Sequence, residues 1–202
     1  MPRAANQRQG DLVMAKHFEA AVAQTAEWLT PPEIFNPNGE PRPGIKLVFD
    51  LDVASPGLDK CFVPARRCFT RADNGLIQPY HGLVWNNPPF NQDEGARRNG
   101  IIPWLMRFFD HRNGVLLVRA QTACGWWHEY IVPNAEVICF VKGKTKFLRS
   151  DGSVGKQPTS GVVFIGAGTV ACNALLESGL GHCVTTIEAA SAARSSKAPV
   201  AA

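Results

Sequence analysis

Leu83-Val84-Trp85-Asn86-Asn87-Pro88-Pro89-Phe90 decides how the rest of the chain is read. Three bulky apolar residues run without a break into two amides, two prolines and an aromatic ring. The prolines fix φ at successive positions and withhold two N–H donors, so a strand entering this stretch ends in a rigid turn. A turn is one sufficient reason for such residues. By composition alone the pattern would arise in roughly one chain in 200 of this length, so its surroundings must decide what it means.

Working outward, short apolar runs at 45–52, 83–85, 114–119, 137–141 and 161–166 have the length and branched-residue content of buried strands. Helices are predicted over 18–28, 102–111 and 171–178, the last ended by Gly179, while 35–44 is rich in Asn, Pro and Gly and reads as a loop. Strands alternating with helices predict an α/β layered sheet. The spacing from Asp52 to Asn87 is short for a full series of strand–helix units, so the first half of that sheet is expected to be trimmed or irregular. Residues 1–13 and the Ala/Ser-rich 189–202 read as loose tails around one domain over 14–188.

Composition narrows the classes. The 202 residues are 45% hydrophobic and 19% charged, enough for a full core and against a largely disordered chain. No apolar run approaches a membrane span, and the polar start carries no signal-like core, so a cytoplasmic protein with no membrane partner is expected. Six dispersed cysteines without a Cys-x-x-Cys pair favour reduced thiols, and five scattered histidines argue against a metal site. A net charge of +4 permits an anionic partner without naming one.

The turn also has a chemical reading. An exocyclic amine such as N6 of adenine is a poor nucleophile because its lone pair is delocalised into the ring. An amide oxygen and a proline carbonyl aimed at its two N–H bonds favour a pyramidal nitrogen, and prolines hold such acceptors in place beforehand. A neighbouring aromatic can stack on a base rotated out of a duplex. Against a sulfonium methyl, no strong base is required.

Asn87-Pro88-Pro89-Phe90 resembles the (Asp/Asn)-Pro-Pro-(Tyr/Phe) motif of S-adenosylmethionine-dependent amino-methyltransferases. The wider order is similar to the phage and prophage DNA N-6-adenine methyltransferase (Dam-type) family. Its blocks are Glu27-Trp28-Leu29-Thr30-Pro31, Phe49-Asp50-Leu51-Asp52, Asp73-Asn74-Gly75-Leu76, Val84 to Phe90, Val115 to Ala120 with Trp126-Trp127-His128, and Phe140 to Phe147. The resemblance covers about residues 27 to 185. It implies a single-domain, Rossmann-like, mostly parallel sheet flanked by helices. It further implies methyl transfer from S-adenosylmethionine to adenine in double-stranded DNA, inside a bacterial host if the chain is phage-encoded.

By position, the resemblance makes Asn87 and Pro88 the acceptors for the adenine amine, in the turn that Pro89 stiffens, and Phe90 the stacking ring. Trp28, Thr30 and Pro31 would line the cofactor pocket. One of Asp50 and Asp52, both expected at the carboxyl end of the first strand, would meet the cofactor's ammonium or ribose, with Asp73 a further candidate for that contact. The bland reading of the first two is a pair of turn formers. Arg97, Arg98, Trp127, Lys142, Lys144 and Lys146 are candidates for DNA, the lysines sharing one face if 142–146 is a strand. A solvated edge or a buried tryptophan pair would explain the same residues.

One departure is clear. After Asp52 comes Val53-Ala54-Ser55-Pro56-Gly57, a degenerate version of the expected glycine-rich loop. Gly166-Ala167-Gly168, between a strand and a helix with Glu188 about twenty residues on, offers a rival. It could be a packing turn, a cofactor loop in permuted order, or the nicotinamide site of an oxidoreductase. A non-catalytic nucleotide- or nucleic-acid-binding module of the same fold is the remaining alternative.

Overall fold

The computed structural model describes residues 28–89, 100–149, 152–154 and 161–186. The expected tails, almost all of the predicted helix 18–28, and Phe90, Arg97, Arg98 and Glu188 lie outside them. The strands are β1 (Leu51–Asp52), β2 (Val84–Asn86), β3 (Gly114–Arg119), β4 (Val137–Val141), β5 (Val162–Ala167) and β6 (Gly181–Thr185). Helices are α1 (Ile102–His111), the short α2 (Val132–Asn134), which continues a π-helical turn Trp127–Ile131, and α3 (Thr169–Leu176).

One six-stranded sheet has the order β1-β2-β3-β5-β4-β6. The expected mostly parallel sheet is a mixed one. β1–β2 and β2–β3 pair parallel, whereas β3–β5, β4–β5 and β4–β6 pair antiparallel. The connections explain the mixture. Helical crossovers (α1, the π-helical turn with α2, and α3) join strands of like direction. The link from β4 to β5 has no helix among its described residues, and the chain there turns back antiparallel. In consequence β1, β2, β3 and β4 all point one way, and β5 and β6 the other.

Val/Ile/Leu-rich runs form the central strands because both sheet faces are covered. On one face Leu51, Val84, Leu116, Val118, Val163 and Ile165 pack with Trp104, Leu105 and Phe108 of α1 and with Trp127 and Ile131. On the other, Trp85, Val115, Leu117 and Phe164 pack with Ile34, Phe35, Ile45, Phe49 and the α3 residues Ala171 and Leu175. Trp85 is fully buried and meets the rings of Phe35, Phe49 and Phe164 at 4.9, 5.5 and 5.9 Å. The strand that feeds the Asn-Pro-Pro turn is thereby anchored from one side.

The trimmed first half is present as expected. Between β1 and β2 there is no further strand or helix. Instead, residues 65–68 run along the outer edge of β1 through the parallel bridges Phe49↔Ala65 and Asp52↔Cys68. The chain leaves β1 outward and β2 inward, so a topological switch point falls between their carboxyl ends. Open α/β sheets bind ligands at such crevices.

Candidate functional site

Four strand ends meet on one edge: Asp52 closes β1, Asn86 leads into Asn87 after β2, Trp126 and Trp127 follow β3, and Lys142 follows β4. Asn87 is half-buried and Pro88 buried. The Asn87 side-chain nitrogen donates to the Trp28 carbonyl at 3.1 Å and to Thr30 Oγ1 at 3.2 Å. A backbone carbonyl only accepts, so the amide nitrogen must be the group facing it. Oδ1 therefore points the other way, and no described residue is bonded to it as a donor.

The segment 28–30 is itself fixed. Leu29 exchanges both backbone hydrogen bonds with Leu148, at 2.8 and 3.0 Å. Thr30 is 3% exposed, and Pro31 leads into a 3-10 turn over Pro32–Ile34. Of the residues expected around a cofactor, Trp28 and Thr30 are thus brought directly to Asn87.

Asp52 is 2% exposed and sits beside β2, opposite Trp85. It accepts from the Ala54 N–H at 3.2 Å, and the nearby Ser55 side chain also favours its ionised form. Burial outweighs those contacts and pushes its carboxyl up to about 7. No described lysine or arginine forms an ion pair with it. Ser55 also accepts from the Gly57 N–H, so the degenerate loop closes as a serine turn rather than a glycine cradle.

Asp50 departs from its expected place. It precedes β1, and its oxygens are engaged by Arg66 at 2.6 Å and the Leu83 N–H at 2.8 Å. The Leu83 N–H, with Arg66, holds the carboxyl below its ordinary value. Leu83 enters β2 from its amino end, so Asp50 ties the sheet on the edge away from Asn87. Asp73 is exposed and accepts from the Thr70 N–H and hydroxyl at 2.8 and 2.7 Å, which hold its carboxyl low. The block it opens is a turn: Asn74 is left-handed at φ 55°, and a Cβ on Gly75 would strike the Val53 carbonyl oxygen. Gly75 is required there because the turn lies directly against the end of β1.

The DNA candidates separate. Trp127 is 4% exposed and packs in the core, while its neighbour Trp126 is half-buried, their rings 6.0 Å apart. A β3 end that has to be covered buries the second tryptophan, so Trp127 is unavailable to a duplex. Lys142, Lys144 and Lys146 are all exposed but not in a sheet strand; the chain bends at 142–143 after β4, where Gly143 is at φ 86°, and then runs to Leu148 with Thr145 and Phe147 buried. It arrives beside the segment that holds Asn87.

Gly166-Ala167-Gly168 lies on the opposite edge, because β5 runs antiparallel to β3 and its end meets Gly114. A Cβ on Gly168 would press on the Arg112 carbonyl and Asn113, and its N–H donates to Glu136 Oε1 at 3.2 Å. Glu136 also pairs with Arg112 at 3.1 Å. A carboxylate already sits at the α3 N-terminus where a pyrophosphate would bind. The loop packs as a tight turn against Arg112 and Asn113, on the edge away from Asn87.

The DNA N-6-adenine-methyltransferase (Dam) family model matches residues 19–167, most of the chain and every element from Trp28 through β5. The chain belongs to this family. No curated protein and no solved structure matches it. As a DNA adenine methyltransferase, it takes DNA as substrate. No helix among the described residues is long and apolar enough to cross a membrane. Two features escaped the sequence reading: the Trp28 carbonyl, since backbone groups leave no mark in a sequence, and Asn86, fully buried with neither amide atom hydrogen-bonded among the described residues.

Proposed function

We propose that the chain transfers a methyl group from S-adenosylmethionine to the N6 amine of an adenine rotated out of double-stranded DNA, within one domain over 14–188. The observation that carries this reading is the Asn87 amide, whose nitrogen is held by Trp28 and Thr30. Its Oδ1 is left to accept one N–H of the amine, and the carbonyl of buried Pro88 accepts the other. Both acceptors are fixed before substrate arrives, so little reorganisation is needed as positive charge develops on the nitrogen. The proton shed after transfer passes to water, since neither acceptor is basic.

S-adenosylmethionine supplies an electrophilic methyl on a sulfonium centre together with an ammonium and ribose hydroxyls. Asp52 fits such a group. It is a buried carboxyl without a described cation, at the end of β1 and paired with the strand that leads into Asn87. Ser55 and Ala54 orient it, and a bound cation would favour its ionised form. Lys142, Lys144 and Lys146 would contact phosphates along the same edge.

The test is incubation of the full chain with methyl-labelled S-adenosylmethionine and unmethylated duplex DNA, followed by nucleoside analysis. Label is expected in N6-methyladenine. Label confined to cytosine would refute the target, and cofactor binding without transfer would make the chain a non-catalytic module.

A further inference from the structure

We propose that Thr30 is a positioning residue for Asn87, acting with the Trp28 carbonyl as a two-acceptor clamp, and not a lining residue of the cofactor pocket. The proposal deepens the reading above and rests on it for the role of Asn87. The last torsion of an asparagine is broad and roughly two-fold, so sterics alone discriminate poorly between the amide and its flipped form. In the flipped form the Asn87 nitrogen, a donor, would face the donor N–H of the substrate amine. The Trp28 carbonyl, which only accepts, sets which way the amide faces; in that orientation the Thr30 hydroxyl accepts the second amide hydrogen, so the contacts at 3.1 and 3.2 Å match both.

The clamp is built to stay put. Thr30 is buried, and its branched Cβ restricts where the hydroxyl can lie. Trp28 and Thr30 flank Leu29, whose double backbone pairing with Leu148 sets the height of both acceptors. Pro31 and Pro32 stiffen the exit.

Thr30→Val keeps shape and removes the acceptor; Thr30→Ser keeps the acceptor. The measurements are kcat for methyl transfer, the calorimetric Kd for S-adenosylmethionine, and the Asn87 side-chain amide resonances, assigned by their loss in Asn87→Ala. Thr30→Val is expected to lower kcat at least tenfold, leave the cofactor Kd within twofold and shift one Asn87 amide proton. Thr30→Ser should stay within threefold of the parent in kcat. Thr30→Ala makes the same comparison if the valine variant does not fold. A tenfold weaker cofactor Kd with kcat intact, or unmoved Asn87 resonances, would overturn the clamp. If Asn87→Ala transfers as fast as the parent, the catalytic reading fails, while the resonances still decide the clamp.

Discussion

Asp52→Asn removes a carboxyl that is 2% exposed and has no described cationic partner. Burial raises it from 3.8 to about 7, against the opposing bond from Ala54 and the Ser55 side chain. Between those two values the unfolded chain holds Asp52 ionised while the folded chain keeps it protonated. Stability contributed by this group is therefore full below pH 3.8, falls as pH rises, and levels off above about 7. At about 1.4 kcal/mol per decade the total loss is on the order of 4 kcal/mol, more than half of it between pH 5 and 8. The asparagine variant lacks this pH dependence, so its stability relative to the parent should climb by roughly 2 to 3 kcal/mol over that interval. Urea unfolding of both proteins at each pH reads the difference directly. A difference that stays flat, or that falls as pH rises, would refute the placement of Asp52 as an unpaired buried acid. The same carboxyl predicts that S-adenosylmethionine binding weakens about tenfold per pH unit below pH 7 in the parent and loses that dependence in the variant.

Three further outcomes follow from other contacts. Asn87→Asp puts an acceptor against the Trp28 carbonyl, so kcat should fall by about 10²-fold and recover partly toward acid pH as the introduced carboxyl regains a proton. An undiminished rate at pH 8 would contradict the orientation of the amide. Lys144→Ala with Lys146→Ala should flatten the slope of log affinity for duplex DNA against log salt by about 2, measured by fluorescence anisotropy, and an unchanged slope would remove these lysines from the interface. Gly75→Ala forces a Cβ onto the Val53 carbonyl oxygen and should cost about 2 kcal/mol in urea unfolding; a neutral substitution would show that the turn can move away from β1.

Much of this arrangement was legible in the residues. The predicted strands over 114–119 and 137–141 and the helix over 102–111 coincide with β3, β4 and α1, because continuous Val/Ile/Leu runs and an amphipathic stretch bounded by loop residues leave few alternatives. The family followed from short blocks in order, and Asn87, Pro88 and Asp52 do gather at one edge. Direction was not legible. The glycine turn after β5 looks the same in sequence whichever way the strand runs, and only its antiparallel pairing with β3 carries it to the far edge. The surroundings of Asp50 and Asp73 were not legible either: a carboxylate that caps a backbone N–H and one without such a partner are the same residue type. Trp127 is buried where its neighbour is half-exposed, a choice made by the π-helical turn rather than by the pair of tryptophans.

The most direct test of the central claim is base-resolution mapping of N6-methyladenine in DNA from cells expressing the full chain or its Asn87→Ala variant. New N6-methyladenine is expected with the parent and none with the variant, both proteins being present and folded. Equal methylation by the two would contradict the assignment of Asn87, and none by either would contradict the proposed reaction.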